Sequence, residues 1–119
     1  METVLVNESF LSQITRTIVA GVAGRKIGVR GLQLTLDTGP GAGSVSLGDG
    51  ASANLMRFGN PTDPSVIVMP VTPDERTHVF VTTTGNALTM SWSYAGAGSV
   101  VGTIQYDWIV DPTGHIGNA

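Results

Sequence analysis

Hydrophobic and polar positions alternate along residues 100–110. Val100, Ile104, Tyr106, Trp108 and Val110 stand on one parity, and Thr103, Gln105 and Asp107 on the other. A repeat of two is that of a strand with one buried and one wetted face. The same alternation returns at Leu88, Met90, Trp92 and Tyr94, set against Thr89, Ser91 and Ser93. Within 26–36, Ile27 and Val29 hold one parity and Leu32, Leu34 and Leu36 the other. The slip falls at Gly31, which predicts a β-bulge returning both sets to one face. Strand-like segments also occupy 12–20, Val45 with Leu47, 55–58 (weakly) and 78–84. Residues 65–71 are nearly continuously apolar, which predicts a central strand or one covered on both sides. No segment sustains a helical period, although 9–14 fits a single turn.

Turn residues punctuate these segments. Glycines 21 and 24 bracket one turn, Gly39-Pro40-Gly41-Ala42-Gly43 forms another, and Gly48-Asp49-Gly50 a third. Asn60-Pro61-Thr62-Asp63-Pro64 reads as a loop, since both prolines withhold a ladder donor. Gly85-Asn86 predicts a hairpin joining 78–84 to 88–94. Residues 1–11 read as an N-terminal arm in which Val4 and Val6 can add an edge strand. Residues 12–111 form the domain, and 112–119 a polar tail. Seven or eight strands separated by turns predict an all-β fold, a single antiparallel β-sandwich of jelly-roll-like kind.

At 119 residues the chain is one domain, long enough to fold without a disulfide or metal, and it has no cysteine. Charged residues are 13% of the chain, where about 25% is usual. So sparse a surface charge points to a surface partly covered by partners. The net charge of −3 argues against a general nucleic-acid binder. Four of the six cations, Arg16, Arg25, Lys26 and Arg30, lie close in sequence, and none follows Arg76. They are candidates for docking on an acidic surface, or for solvated protection of strand edges. Met1-Glu2-Thr3 does not open like a secretion signal, and no apolar run reaches the ~20 residues of a membrane helix. The expectation is a protein made in a cytoplasm, with no membrane partner. Asn7-Glu8-Ser9 fits a glycosylation acceptor, which has no use without secretion.

Candidate chemistry is thin. His78 and His115 have no His or Cys at ligand spacing, so no metal is expected. Asp49 and Asp63 sit in turns without the acidic ladder of a calcium loop. The glycine-rich stretches lack the Gly-Lys-Ser/Thr of a phosphate loop, and no serine-nucleophile arrangement occurs. No cofactor and no small-molecule substrate are expected. Trp92 with Tyr94, and Tyr106 with Trp108, could stack on sugars as in carbohydrate-binding modules. Their shared parity with aliphatic residues favours core or interface packing, and all four are candidates for an oligomer interface. Leu34-Thr35-Leu36-Asp37-Thr38-Gly39, with the later Val100-Val101-Gly102, resembles retroviral-type aspartic proteases. That resemblance implies a homodimer in which two copies of Asp37 share a proton. Pro40, and the alternating strand at 103–110 where that family has a helix, depart from the pattern.

A second resemblance spans residues 13–110. It lies in the order of Ile18 to Lys26 ending Gly-Val-Ala-Gly-Arg-Lys, then Ile27-Gly-Val-Arg-Gly-Leu-Gln-Leu-Thr-Leu36, then Leu47-Gly-Asp-Gly50. Thr84-Gly-Asn-Ala-Leu-Thr-Met-Ser-Trp-Ser93 and Val100-Val-Gly-Thr-Ile-Gln-Tyr106 follow. Taken in this order the chain resembles the small jelly-roll virion proteins of tailed bacteriophages. The resemblance implies a non-enzymatic structural role, as a trimeric capsid decoration (cement) protein or as a tail-fibre or spike module. Its partners would be the major capsid protein of the same virus and two further copies of itself, on the exterior of a virion assembled in the host cytoplasm. With that role, Phe10, Arg16, Arg25, Lys26 and Arg30 become the candidates for contact with the shell.

Overall fold

The two longest strands of the chain, Arg25–Thr38 and Gly98–Val110, lie antiparallel along almost their whole length. In the computed structural model the described residues are 1–11, 13–38, 44–50, 55–59, 65–74, 76–94 and 96–110. They form nine strands: β1 (Glu2–Phe10), β2 (Ile14–Val19), β3 (Arg25–Thr38), β4 (Ser44–Gly48), β5 (Met56–Gly59), β6 (Ser65–Met69), β7 (Phe80–Val81), β8 (Leu88–Trp92) and β9 (Gly98–Val110). One sheet has the order β1-β9-β3-β6, with β7 also on β3; the other runs β2-β8-β4-β5. All pairings are antiparallel.

The pairing is nested. β1 meets β9, β2 meets β8, β3 meets β6 and β7, and β4 meets β5. This is a long double ribbon rolled on itself, with β3·β9 and β4·β8 as the contacts that rolling adds. The fold is therefore an all-β, jelly-roll-like sandwich. The expected bulge is present: β3 and β9 slip register between Val29 and Gly31, with Arg30 the extra residue. Ile27, Val29, Leu32, Leu34 and Leu36 consequently all face inward and are buried. At Gly31 a Cβ would stand 2.8 Å from the Val71 Cα, so the bulge needs glycine there.

The core closes between the sheets. Phe10 of β1 stacks on Trp92 of β8, with ring centroids 4.7 Å apart and planes 2° from parallel. Tyr94 also packs against Trp92, its ring centroid 4.8 Å away and its plane tilted by 49°. Trp92 Nε1 donates to the Gly96 carbonyl at 3.1 Å, so the indole is buried with its donor satisfied.

Three expectations change. The segment 65–71 is an edge strand, because among the described residues β6 pairs only with β3; its outward valines are exposed. The segment 78–84 holds only the two-residue β7, since Thr82 Oγ1 takes the Ile27 amide (2.8 Å) and interrupts the ladder. Gly85-Asn86 joins no hairpin: it carries the chain from β7 in one sheet to β8 in the other. The Asn86 amide donates to the Thr83 carbonyl there, a turn that serves a crossing as well as a hairpin.

Candidate functional site

The outward positions of the β1-β9-β3-β6 sheet build a face from residues far apart in sequence. Register places Asn7, Val101, Thr35 and Val66 in one row across the four strands. The next row is Leu5, Thr103, Gln33 and Val68. Neither row holds a charge. Leu5 is 79% exposed, Val66 62%, Val68 59% and Val101 48%. An antiparallel sheet with one wet face ordinarily turns polar side chains outward. Here half the outward positions of two adjacent rows are apolar.

The opposite sheet differs. Its outward row is Thr15, Ser91, Ser46 and Arg57, and two pairs of hydroxyls on this side lie within hydrogen-bond distance. Thr15 Oγ1 and Ser91 Oγ lie 2.8 Å apart, and Ser44 and Ser93 hydroxyls 3.0 Å. Among its described strand residues only Ile14 is a large exposed hydrophobic. The exposed apolar rows thus belong to one face of the sandwich.

The sequence candidates fall in different places. Phe10 is 1% exposed on the inward side of β1, and Glu2–Phe10 is an edge strand rather than a free arm. As a surface contact Phe10 is thereby corrected: its ring is spent on Trp92. Trp92 and Tyr94 are corrected likewise, since both are core residues and offer no oligomer surface or sugar platform. Tyr106 is buried and Trp108 half-buried, their rings edge to face at 5.8 Å.

The four cations do not form one patch. Arg16 lies on β2, its guanidinium 3.4 Å from Glu8 Oε1 and above the Phe10 ring. Arg30 Nη1 stands 3.6 Å from Asp107 Oδ2, and Arg30 Nη2 donates to the Thr72 carbonyl at 2.8 Å. Only Arg25 and Lys26 remain together, at the start of β3 opposite Val110 and Ile109.

Asp107 gathers two cations and an imidazole. Besides Arg30, His78 Nε2 lies 3.2 Å from Oδ2, and the Met1 ammonium 3.5 Å from Oδ1. These contacts, with the Arg30 bond to Thr72, fasten the bulge, Thr72 and His78 to β9. Asp49, a turn residue by sequence, is 2% exposed, and its Oδ2 accepts the Thr83 amide at 2.8 Å. The carboxylate pins the crossing between sheets, a role that its sequence neighbours do not announce. Asp37 is an exposed residue near the end of β3, opposite Ser99. Pro40, Asp63, His115 and the tail 112–119 lie outside the described residues. Among the described residues no group of three or more His, Cys, Asp or Glu side chains could hold a metal ion. No helix among them is long and apolar enough to cross a membrane.

No protein-family model matches the chain. No curated protein matches it either. Among solved structures the chain is similar to one from a "Cyanophage Pam1 capsid asymmetric unit", at 16% identity and a TM-score of 0.44, over 91% of this chain and 84% of that one.

Proposed function

We propose that this chain is a non-enzymatic virion structural protein, a trimeric decoration protein that lies on the outer surface of a capsid shell and strengthens it. The observation that carries the reading is the pair of adjacent uncharged rows on the outward face of β1-β9-β3-β6, with Leu5, Val66, Val68 and Val101 exposed in them. A broad apolar patch on a soluble domain marks a surface made to be covered. The order of sequence motifs shared with phage jelly-roll proteins, and the low overall charge, support the same reading.

The mechanism is mechanical. Each subunit spans a joint between shell subunits, and opening that joint must first strip the face from the shell. The free energy comes from the few apolar side chains at the centre of the contact, not from its total area. Arg25 and Lys26 add steering toward an acidic shell surface.

Co-sedimentation with shells of its own virus tests this. Val101→Glu puts a charge in the middle of the face without touching the core. It is expected to lower shell affinity at least tenfold, about 1.4 kcal/mol, with an unchanged circular-dichroism spectrum. Saturation at the wild-type concentration would overturn the assignment of this face to the shell.

A further inference from the structure

Among the described residues both edges of the five-stranded sheet are open: β1 pairs only with β9, and β6 only with β3. Two strands, β9 and β3, separate the two edges, and three successive antiparallel pairings leave β1 and β6 running in opposite directions. Natural edge strands are usually guarded by lysine, proline or a bulge. β6, Ser-Val-Ile-Val-Met, has none of these. The core is also unfinished at these two sides: Val4 on β1, and Ile67 and Met69 on β6, are hydrophobics only partly buried against it.

We infer that copies of this chain join edge to edge, β6 of one against β1 of the next, antiparallel, with Val68 opposite Leu5. The inference rests on the self-assembling reading above and specifies the joint. Two independent arguments select the register. First, Leu5 and Val68 already occupy one row of the sheet, through Thr103 and Gln33. Copies related by rotation about an axis along the strands keep that row level, so the two residues meet. Second, the alternatives are chemically worse. In the inferred register Ile67 faces Val6, Met69 faces Val4, Val66 faces Asn7, and Ser65 faces Glu8. A shift of one residue turns apolar side chains to the wrong face. A shift of two in one direction sets the Glu2 carboxylate against Met69; in the other it sets Glu8 against Ile67. The inferred register alone keeps both carboxylates off Ile67 and Met69, and it closes the core at Val4, Ile67 and Met69. A joint between two different edges is heterologous, so it closes only as a ring.

The chain has no cysteine, which makes the test clean. In a single copy Leu5 and Val68 stand three strand spacings apart, about 14 Å, beyond the reach of a disulfide. The double variant Leu5→Cys with Val68→Cys is therefore expected to give, on mild oxidation, covalent dimers and closed trimers on a non-reducing gel. Each single variant should give no trimer. Independently, Val68→Lys and Leu5→Lys, at exposed positions on opposite edges, should each reduce the solution mass by light scattering to the 12.3 kDa of one chain. An oligomer of wild-type mass in both lysine variants, or an oligomeric double-cysteine variant that does not cross-link, would overturn the joint and leave the trimer reading standing. A wild-type chain that is monomeric and does not cross-link would remove both, while its shell binding is scored separately by co-sedimentation.

Discussion

Tyr94 sits in the core beside Trp92 with its hydroxyl buried and without a hydrogen-bond partner among the described residues. An orphaned buried hydroxyl destabilises the fold, whereas the ring that carries it contributes through packing. Burial also pushes the phenol above its ordinary pKa of 10.0. Tyr106 is raised too, by burial and by the charge of Glu2. The folded chain thus holds protons that the unfolded chain releases near pH 10. Stability is present in full below that pH and is lost as pH rises above it. Tyr94→Phe removes both effects while keeping the stack. It is expected to equal or exceed the native chain in denaturant midpoint at neutral pH, by up to about 1 kcal/mol. Its alkaline loss of stability should be shallower. A midpoint well below the native one at neutral pH would show that the hydroxyl has a partner after all.

Strands are where the reading of the sequence succeeds and stops. β8, β9 and the bulge of β3 were legible because each carries a long alternation with large apolar residues, and the slip at Gly31 has one geometric remedy. β6 was not, because an apolar run reports what its residues are and not how many neighbours they have. The candidate face was hidden for a related reason. Leu5, Val101, Val66 and Val68 lie in three distant segments, and only register makes them neighbours. Phe10 was misplaced because its partner, Trp92, lies on the other sheet. The consequence for experiment is direct. Deleting residues 1–11 removes a nine-residue strand and the aromatic stack together. Losing the Phe10 side chain alone removes about 3–5 kcal/mol, a large share of a typical domain's stability. The truncated chain is expected to be unfolded or aggregated by circular dichroism and light scattering, rather than folded and unable to bind. A cooperative thermal transition in the truncated chain would return residues 1–11 to the status of an arm.

At the scale of the molecule, nested pairing makes nearly every ladder long-range: Glu2 pairs with Tyr106, and Ile14 with Trp92. Closing such loops costs entropy before contacts repay it, so folding is slow for the size of the chain. Refolding by denaturant dilution, followed by Trp fluorescence, is expected on a millisecond-to-second scale. A submillisecond main phase would argue against assembly through the ribbon as a whole. The position of β9 carries the point further. It is the last strand in the sequence, yet it lies between β1 and β3. During synthesis, β1 and β3 therefore wait without the strand that joins them, and the large sheet cannot be completed until β9 has been made. β1 and β3 are bare in every unfinished copy at once, so polysomes making the chain in quantity hold the species most prone to pair wrongly. Faithful assembly then depends on how fast finished chains leave that state relative to how often two of them meet.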